Sequence, residues 1–197
     1  MNGVNFAQMC GRVREELAQE HRYAHVVRVA RLADRLAQAH GEDRRAARVA
    51  GMLHDLARLY SAEKLLEESA ARGIPIDAFA RLHPVVLHAP LGAELAREQY
   101  GIDDERILSA IRSHTLGAPG MSRLDKIVFL ADGLEPGRDF AERSRLERLA
   151  LHDLDAAMRA TLRSTIAYLA ARGLAVAPAT TSAIEYFALT EKEKKTA

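Results

Sequence analysis

The chain has 197 residues, with 28 lysines and arginines against 27 aspartates and glutamates, for a formal net charge of +1. A balance so near neutrality argues against bulk nucleic-acid binding and leaves room for a local basic pocket. One cysteine, Cys10, rules out an internal disulfide and suits a reducing compartment. No run approaches the roughly 18 apolar residues of a membrane span, and MNGVNFAQMCGRVREELAQ lacks the basic-then-apolar plan of a signal peptide. The expectation is a cytoplasmic, single-domain protein (1–197) with one good-sized core.

Alanine, leucine, arginine and glutamate dominate, and valine and isoleucine are scattered rather than alternating, so the expected fold class is all-α. The periodicity predicts a first helix over Asn5–Gln19 and a second over His21–His40, closed by Gly41. A third covers Asp43–Leu59. The next runs from Ser61, an N-cap, to Arg72. Gly73 and Pro75 break the chain, and a short helix follows at Asp77–Leu82. Further helices are expected over Pro90–Tyr100, Asp103–His114 and Ser122–Leu134. The Pro-Gly pair makes Glu135–Asp139 a loop. A long helix spans Leu151–Arg172, closed by Gly173. A last helix starts at Thr180 or Thr181, and the charged tail 191–197 is expected to fray.

Within the third helix, VAGMLHDLARL is apolar at helical spacing through Val49, Ala50, Leu53, Leu56 and Ala57, yet it holds His54 and Asp55 side by side. An unpaired polar group away from water costs roughly 1–3 kcal/mol. A divalent ion bound by the imidazole and the carboxylate would remove that cost. Helix neighbours diverge by ~100°, so one ion would sit over the helix edge, and the two oxygens of Asp55 could also bridge two ions. A backbone bond for His54 and a capping role for Asp55 explain the dipeptide equally well.

Other helices repeat the anomaly. His25 precedes Val29, Leu32 and Leu36 on an apolar face, and His114 follows Ile107 and Ile111. Asp132 follows Val128 and Phe129, and His88 follows Val85, Val86 and Leu87. Singly, each is more often a satisfied core or capping residue than a ligand. Together, His25, His54, Asp55 and Asp132 form an N/O set for one octahedral ion. His88 and His114 could serve a second ion, bridged by Asp55, or a phosphate. His21, His40, His83 and His152 read as surface or structural. Mixed imidazole and carboxylate sites suit iron, manganese, cobalt or nickel, with magnesium less suited, and no cysteine pair offers structural zinc. Such an ion lowers the pKa of bound water and polarises a phosphoryl oxygen, which is hydrolase chemistry. Arg22, Arg58 and Arg138 lie near these residues in sequence and could bind phosphate oxygens bidentately. There is no Walker A, GxGxxG or GxSxG motif.

The order His25, His54-Asp55, Asp132 resembles the H…HD…D signature of HD-domain metal-dependent phosphohydrolases. HRYAHVVRVA, AGMLHDLARL, VVLHAPLGAELA and AIRSHTLGAPGMSRLDKIVFLADGLEPGRDF together look like the symmetrical bis(5′-nucleosyl)-tetraphosphatases of that superfamily. The likeness covers about residues 21–140, with a weaker echo at Ala177–Phe187. It implies an HD-domain helical bundle with C-terminal helices, about 151–192, packed on it. It also implies hydrolysis of diadenosine tetraphosphate, a dinucleoside polyphosphate, to two ADP. One or two divalent transition-metal ions are implied, iron first. By motif, His25, His54, Asp55 and Asp132 would be metal ligands. His88 and His114 would complete the second metal or contact phosphate, sharing the catalytic role with Asp55. Arg22, Arg58, Thr115 and Arg138 would lie along the nucleotide. The family carries lysine where this chain has Arg58, and VAPATTSAIEYF departs from its pattern. Another HD branch, a nucleotidase or dNTP phosphohydrolase, and a non-catalytic nucleotide-binding module are the rival readings. No nucleic-acid or membrane partner is expected, and a homodimer through the C-terminal helices is left open.

Overall fold

The computed structural model describes residues 5–196, with side chains as far as residue 189. Among the described residues there is no strand. The helices are α1 (Phe6–Leu17), α2 (Glu20–His40), α3 (Arg44–Leu53), α4 (Ala62–Ala71) and α5 (Ala78–Leu82). A 3-10 turn, Pro84–Leu87, leads into α6 (His88–Tyr100). They continue as α7 (Glu105–Ser113), α8 (Arg123–Leu134), α9 (Arg143–Ala150), α10 (Leu154–Ala171) and α11 (Pro178–Thr196). The tail 191–197, expected to fray, instead continues α11 as helix through Thr196, and residue 197 lies outside the described residues. No helix among the described residues is long and apolar enough to cross a membrane.

Side-chain caps start most of these helices, because the first N–H groups of a helix have no partner within it. Asp43, Ser61, Asp77, Asp104 and Asp153 each accept a backbone N–H from their own first turn. Ser122 and Asp125 close a reciprocal capping box on α8. Gly41 ends α2 with φ +63°, a left-handed conformation that glycine adopts at no steric cost.

Four of the boundaries that differ from the sequence expectation have a clear physical reason. The third helix stops at Leu53 instead of Leu59, and the chain continues in tight turns through Leu56 N–H to Leu53 O (3.3 Å) and Arg58 N–H to Asp55 O (2.9 Å). Helix α6 begins at His88, two residues before Pro90, which is tolerated there because a first-turn N–H has no partner to lose. The long helix begins at Leu154, where Asp153 caps it, rather than at Leu151. The last begins at Pro178, whose fixed φ suits the first helical position. Helix α9 has no counterpart in the expected elements, since only Leu146 and Ala150 of its eight residues are buried.

The core lies where α2, α3, α7 and α8 meet. Val26, Val29, Leu32 and Leu36 of α2 face Ala46, Ala47, Ala50 and Leu53 of α3, all buried. Gly51 is the point of closest approach. A Cβ there would stand 2.8 Å from Ala30 Cα and 3.0 Å from Ala30 N, both rigid helix backbone. Gly51→Ala should therefore push α3 off α2 and cost roughly 1–3 kcal/mol, the usual range for overpacking. Urea denaturation checks this; a variant as stable as the parent would mean that the contact is not tight.

Candidate metal centre

Four buried histidines point one ring nitrogen each into a common space, and their local bonding explains why. His54 Nδ1 bonds Gly51 O at 2.8 Å, His88 Nδ1 bonds Val85 O at 2.5 Å and His114 Nδ1 bonds Ile111 O at 2.7 Å. In each case the carbonyl belongs to the residue three positions earlier. A carbonyl can only accept, so the proton is on Nδ1 and Nε2 carries a lone pair. This bond also explains the early end of α3: the His54 ring takes the Gly51 carbonyl that a continuing helix would offer to the Asp55 N–H. His25 lies inside α2, where its own carbonyls are used. Its Nδ1 bonds Glu135 Oε1 at 3.1 Å instead.

Two carboxylates meet these four Nε2 atoms. Asp55 Oδ1 lies 3.6, 3.5 and 4.0 Å from Nε2 of His54, His88 and His114. Its Oδ2 lies 3.7 Å from His25 Nε2. Asp132 Oδ1 stands 3.1 Å from His25 Nε2 and 3.8 Å from His54 Nε2. The Nε2 atoms of His88 and His114 are 3.1 Å apart. His25 Nε2 and His54 Nε2 are buried without a hydrogen-bond partner. Lone pairs set this close to one another and to carboxylate oxygens repel unless positive charge lies between them. Donors each about 2.1 Å from one ion stand about 3.0 Å apart at a right angle and about 4.2 Å apart when opposite. The observed gaps fall in that window, so the donor set fits divalent ions. Three overlapping groups have ligand atoms within 4.8 Å of one another: His25, His54 and Asp55; His54, His114 and Asp132; Asp55, His88 and His114.

The electrostatics agree. Burial pushes His114 down to about 3, with His54 and His88 adding to the effect. Burial also lowers His88. Burial would raise the Asp55 carboxyl, but His54, His88 and His114 around it hold it below its ordinary value. The same contest leaves Asp132 well below the carboxylate range, through His25 first. His25 runs the other way: the Asp132 and Glu135 carboxylates outweigh its burial and raise it, so an ion there would have to displace its proton. Neutral imidazoles and ionised carboxylates are the forms that bind metal.

Above the cluster opens a cavity of about 300 Å³, lined by Arg22, Asp55, Arg58, Val85, His88, Thr115, Asp132 and Arg138. Arg22 NH1 is 3.7 Å from Asp55 Oδ2. Arg138 donates to Asp132 through NH2 to Oδ1 (2.5 Å) and through Nε to the backbone carbonyl (3.1 Å). Thr115 Oγ1 is 3.1 Å from Nε2 of both His88 and His114. Every residue singled out in the sequence as a ligand or nucleotide contact thus lies in this cluster or on this cavity. The other four histidines lie elsewhere: His40 bonds Ala150 O, His83 stacks on Phe79, and His21 and His152 are exposed.

Glu135 and Arg28 were not foreseen. Glu135 is buried to 2% exposure and accepts from His25, from Nε and NH2 of Arg28, and from the Gly137 N–H at 2.5 Å. It fixes the tautomer of His25 from behind, the usual means of orienting a metal-binding imidazole. Its position in a Pro-Gly loop carries no periodic signal. Arg28 does carry one, since it lies one turn beyond His25 on the same helix face.

Comparison with known proteins matches residues 22–137 to the HD domain. The chain is 36% identical over 168 residues to a Bacillus subtilis protein named symmetrical bis(5′-nucleosyl)-tetraphosphatase, covering 85% of this chain and 89% of that one. A Halalkalibacterium halodurans protein of the same name is 36% identical, over 88% and 92% of the two chains. A Clostridium acetobutylicum crystal structure, described as a "predicted HD superfamily hydrolase involved in NAD metabolism", matches with a TM-score of 0.90 and 33% identity, over 94% of this chain and 98% of that one.

Burial would raise the Glu135 carboxyl, but Arg28, the Gly137 N–H and His25 outweigh it and hold it at about 2, against an ordinary 4.5. A depressed carboxyl stabilises the fold fully above its unfolded pKa, and that contribution fades as pH falls through the folded value. Glu135→Gln should therefore flatten the loss of stability between pH 4.5 and 2, read from urea midpoints against pH. It should also weaken metal binding by about 10–100-fold. Unchanged acid sensitivity together with unchanged metal affinity would remove Glu135 from the orienting role.

Proposed function

The chain belongs to the HD-domain family, and from that premise we propose that it is a metal-dependent hydrolase splitting diadenosine tetraphosphate into two molecules of ADP. The observation that carries the reading is the convergence of four Nε2 lone pairs on Asp55 and Asp132, at the floor of a cavity walled by arginines. Relatives that share most of the chain's length bear the name of that activity.

His25, His54, Asp55 and Asp132 would hold one ion. Asp55, His88 and His114 would hold a second, Asp55 being within 4.0 Å of all four histidines. Iron, manganese, cobalt and nickel all suit this donor set, with magnesium less suited, and the family resemblance puts iron first. Such ions supply Lewis acidity, lowering the pKa of a water and offsetting charge on phosphoryl oxygens.

The remaining work falls to the protein's own groups. Arg22 and Arg138 each lie against a ligand carboxylate and also face the cavity, so a polyphosphate there meets guanidinium groups beside the cluster. Arg58 adds a third positive charge on the wall. The Thr115 hydroxyl, in reach of His88 and His114, can donate to a phosphate oxygen. Cleavage into equal halves requires that one ADP half be held in register, and these four residues supply the grip. Placement matters more than covalent chemistry in such a transfer, because well-oriented reactants gain most of the entropy that a bimolecular encounter would lose.

The test is product analysis on the metal-loaded protein. ADP as the sole product is expected. ATP plus AMP would keep the hydrolase and overturn the register, and turnover confined to other nucleotides would move the chain to another HD branch. Asp55→Ala should lose bound metal and lower kcat/KM by more than about a hundredfold, the upper end for partners one step removed from a metal. A variant with full metal and full activity would contradict the site.

A further inference from the structure

Two pockets adjoin the phosphate cavity, each sharing one wall residue with it. Through Thr115 it meets an apolar cleft of about 370 Å³, between Phe79, Val86 and Pro178. Through Arg138 it meets a pocket of about 410 Å³ beneath the loop after α8, against α10. The second pocket differs in kind. Thr161, Ser164 and Thr165 line it, and Phe140 and Tyr168 add two aromatic rings.

Two observations mark it as a built site. Thr161 is 6% exposed, and its Oγ1 is buried with no hydrogen-bond partner, a cost that a bound polar group would remove. Tyr168, by contrast, is 55% exposed, with the Arg172 guanidinium 4.8 Å over its ring. A large ring left open beside a buried hydroxyl suits a flat, hydrogen-bonding ligand that stacks. Charge favours a nucleoside over a phosphate on this side: Arg138 is a wall shared with the phosphate cavity, and Asp139 adds a carboxylate. A carboxylate accepts ribose hydroxyls and repels phosphate.

We propose that this pocket is a second nucleoside subsite, so that the substrate lies across the metal centre with one nucleoside in each of two chemically unlike pockets. The proposal rests on the activity proposed above. Arg138 stands at the crossing, one wall of both the phosphate cavity and the nucleoside pocket. A substrate symmetrical in itself is then held asymmetrically, and the reacting bridge is centred by the two nucleosides rather than by the phosphates alone.

The test uses the metal-loaded full chain. Equilibrium dialysis with ADP should give two molecules per chain, and Tyr168→Ala should weaken one of the two by about tenfold, the loss of one stacking partner. A single ADP per chain in the parent protein overturns the subsite. Hydrolysis gives a second readout: the kcat/KM ratio of diadenosine tetraphosphate to adenosine 5′-tetraphosphate, which lacks the second nucleoside. That ratio should fall about tenfold in Tyr168→Ala; an unchanged ratio overturns the proposal. Thr161→Val separates folding from binding. It removes a hydroxyl with no partner, so the melting temperature without nucleotide should hold or rise while ADP binding weakens. A lowered melting temperature with unchanged binding would make Thr161 merely structural and count against the site. Two ADP bound without cleavage of either tetraphosphate would sink the activity and leave the subsite. Cleavage with one ADP bound and an unchanged ratio would do the reverse.

Discussion

A hydrogen bond from imidazole Nδ1–H to the carbonyl three residues earlier, made by His54, His88 and His114, is the interaction on which the rest of the structure depends. Each bond sits where a helix or turn ends or begins; the Val85 and Ile111 carbonyls also accept the backbone N–H of the same histidine, and the Gly51 carbonyl takes the His54 ring. The contact sits at the end of α3 for His54, of α7 for His114 and at the start of α6 for His88, and in each case it fixes the proton on Nδ1 and aims Nε2 inward. Helical periodicity alone would turn His54 and Asp55 about 100° apart. The tight turns after Leu53 bring both onto one cluster.

The scaffold serves this arrangement by bringing helix backbones close together. Gly51, whose carbonyl holds His54, also admits Ala30 of α2, so the residue that sets the α2–α3 distance also sets the imidazole's anchor. Helix α2 in turn carries His25, and the loop after α8 returns Glu135 beneath it. The cluster thus joins helices far apart in sequence, and a cation among its lone pairs would tie them together in the folded state alone. Metal binding and stability are expected to be linked.

Much of the site was legible because polar residues on apolar helix faces stand out against a regular pattern. His25, His114 and Asp132 are visible in that way, as is the His54-Asp55 pair, and the quoted motifs carry the family likeness. The end of α3 was not legible, because VAGMLHDLARL is periodic throughout and the break comes from a side-chain bond. Helix α9 was hidden by a charged sequence that buries little. Glu135 escaped because its partner, His25, lies 110 residues away, and nothing local distinguishes a loop glutamate that orients an imidazole from one in solvent. The hydroxyls of α10 escaped likewise. Threonine and serine within a helix look ordinary until the fold sets them beside Arg138.

Anomalous diffraction from crystals of the protein loaded with iron or manganese tests the central claim most directly. The account predicts ion peaks inside the cluster, bound through the Nε2 atoms of His25 and His54 with Asp55 and Asp132, and through those of His88 and His114 with Asp55. Bond lengths should be about 2.0–2.3 Å. Peaks confined to other parts of the molecule, or rings turned to bind through Nδ1, would contradict it.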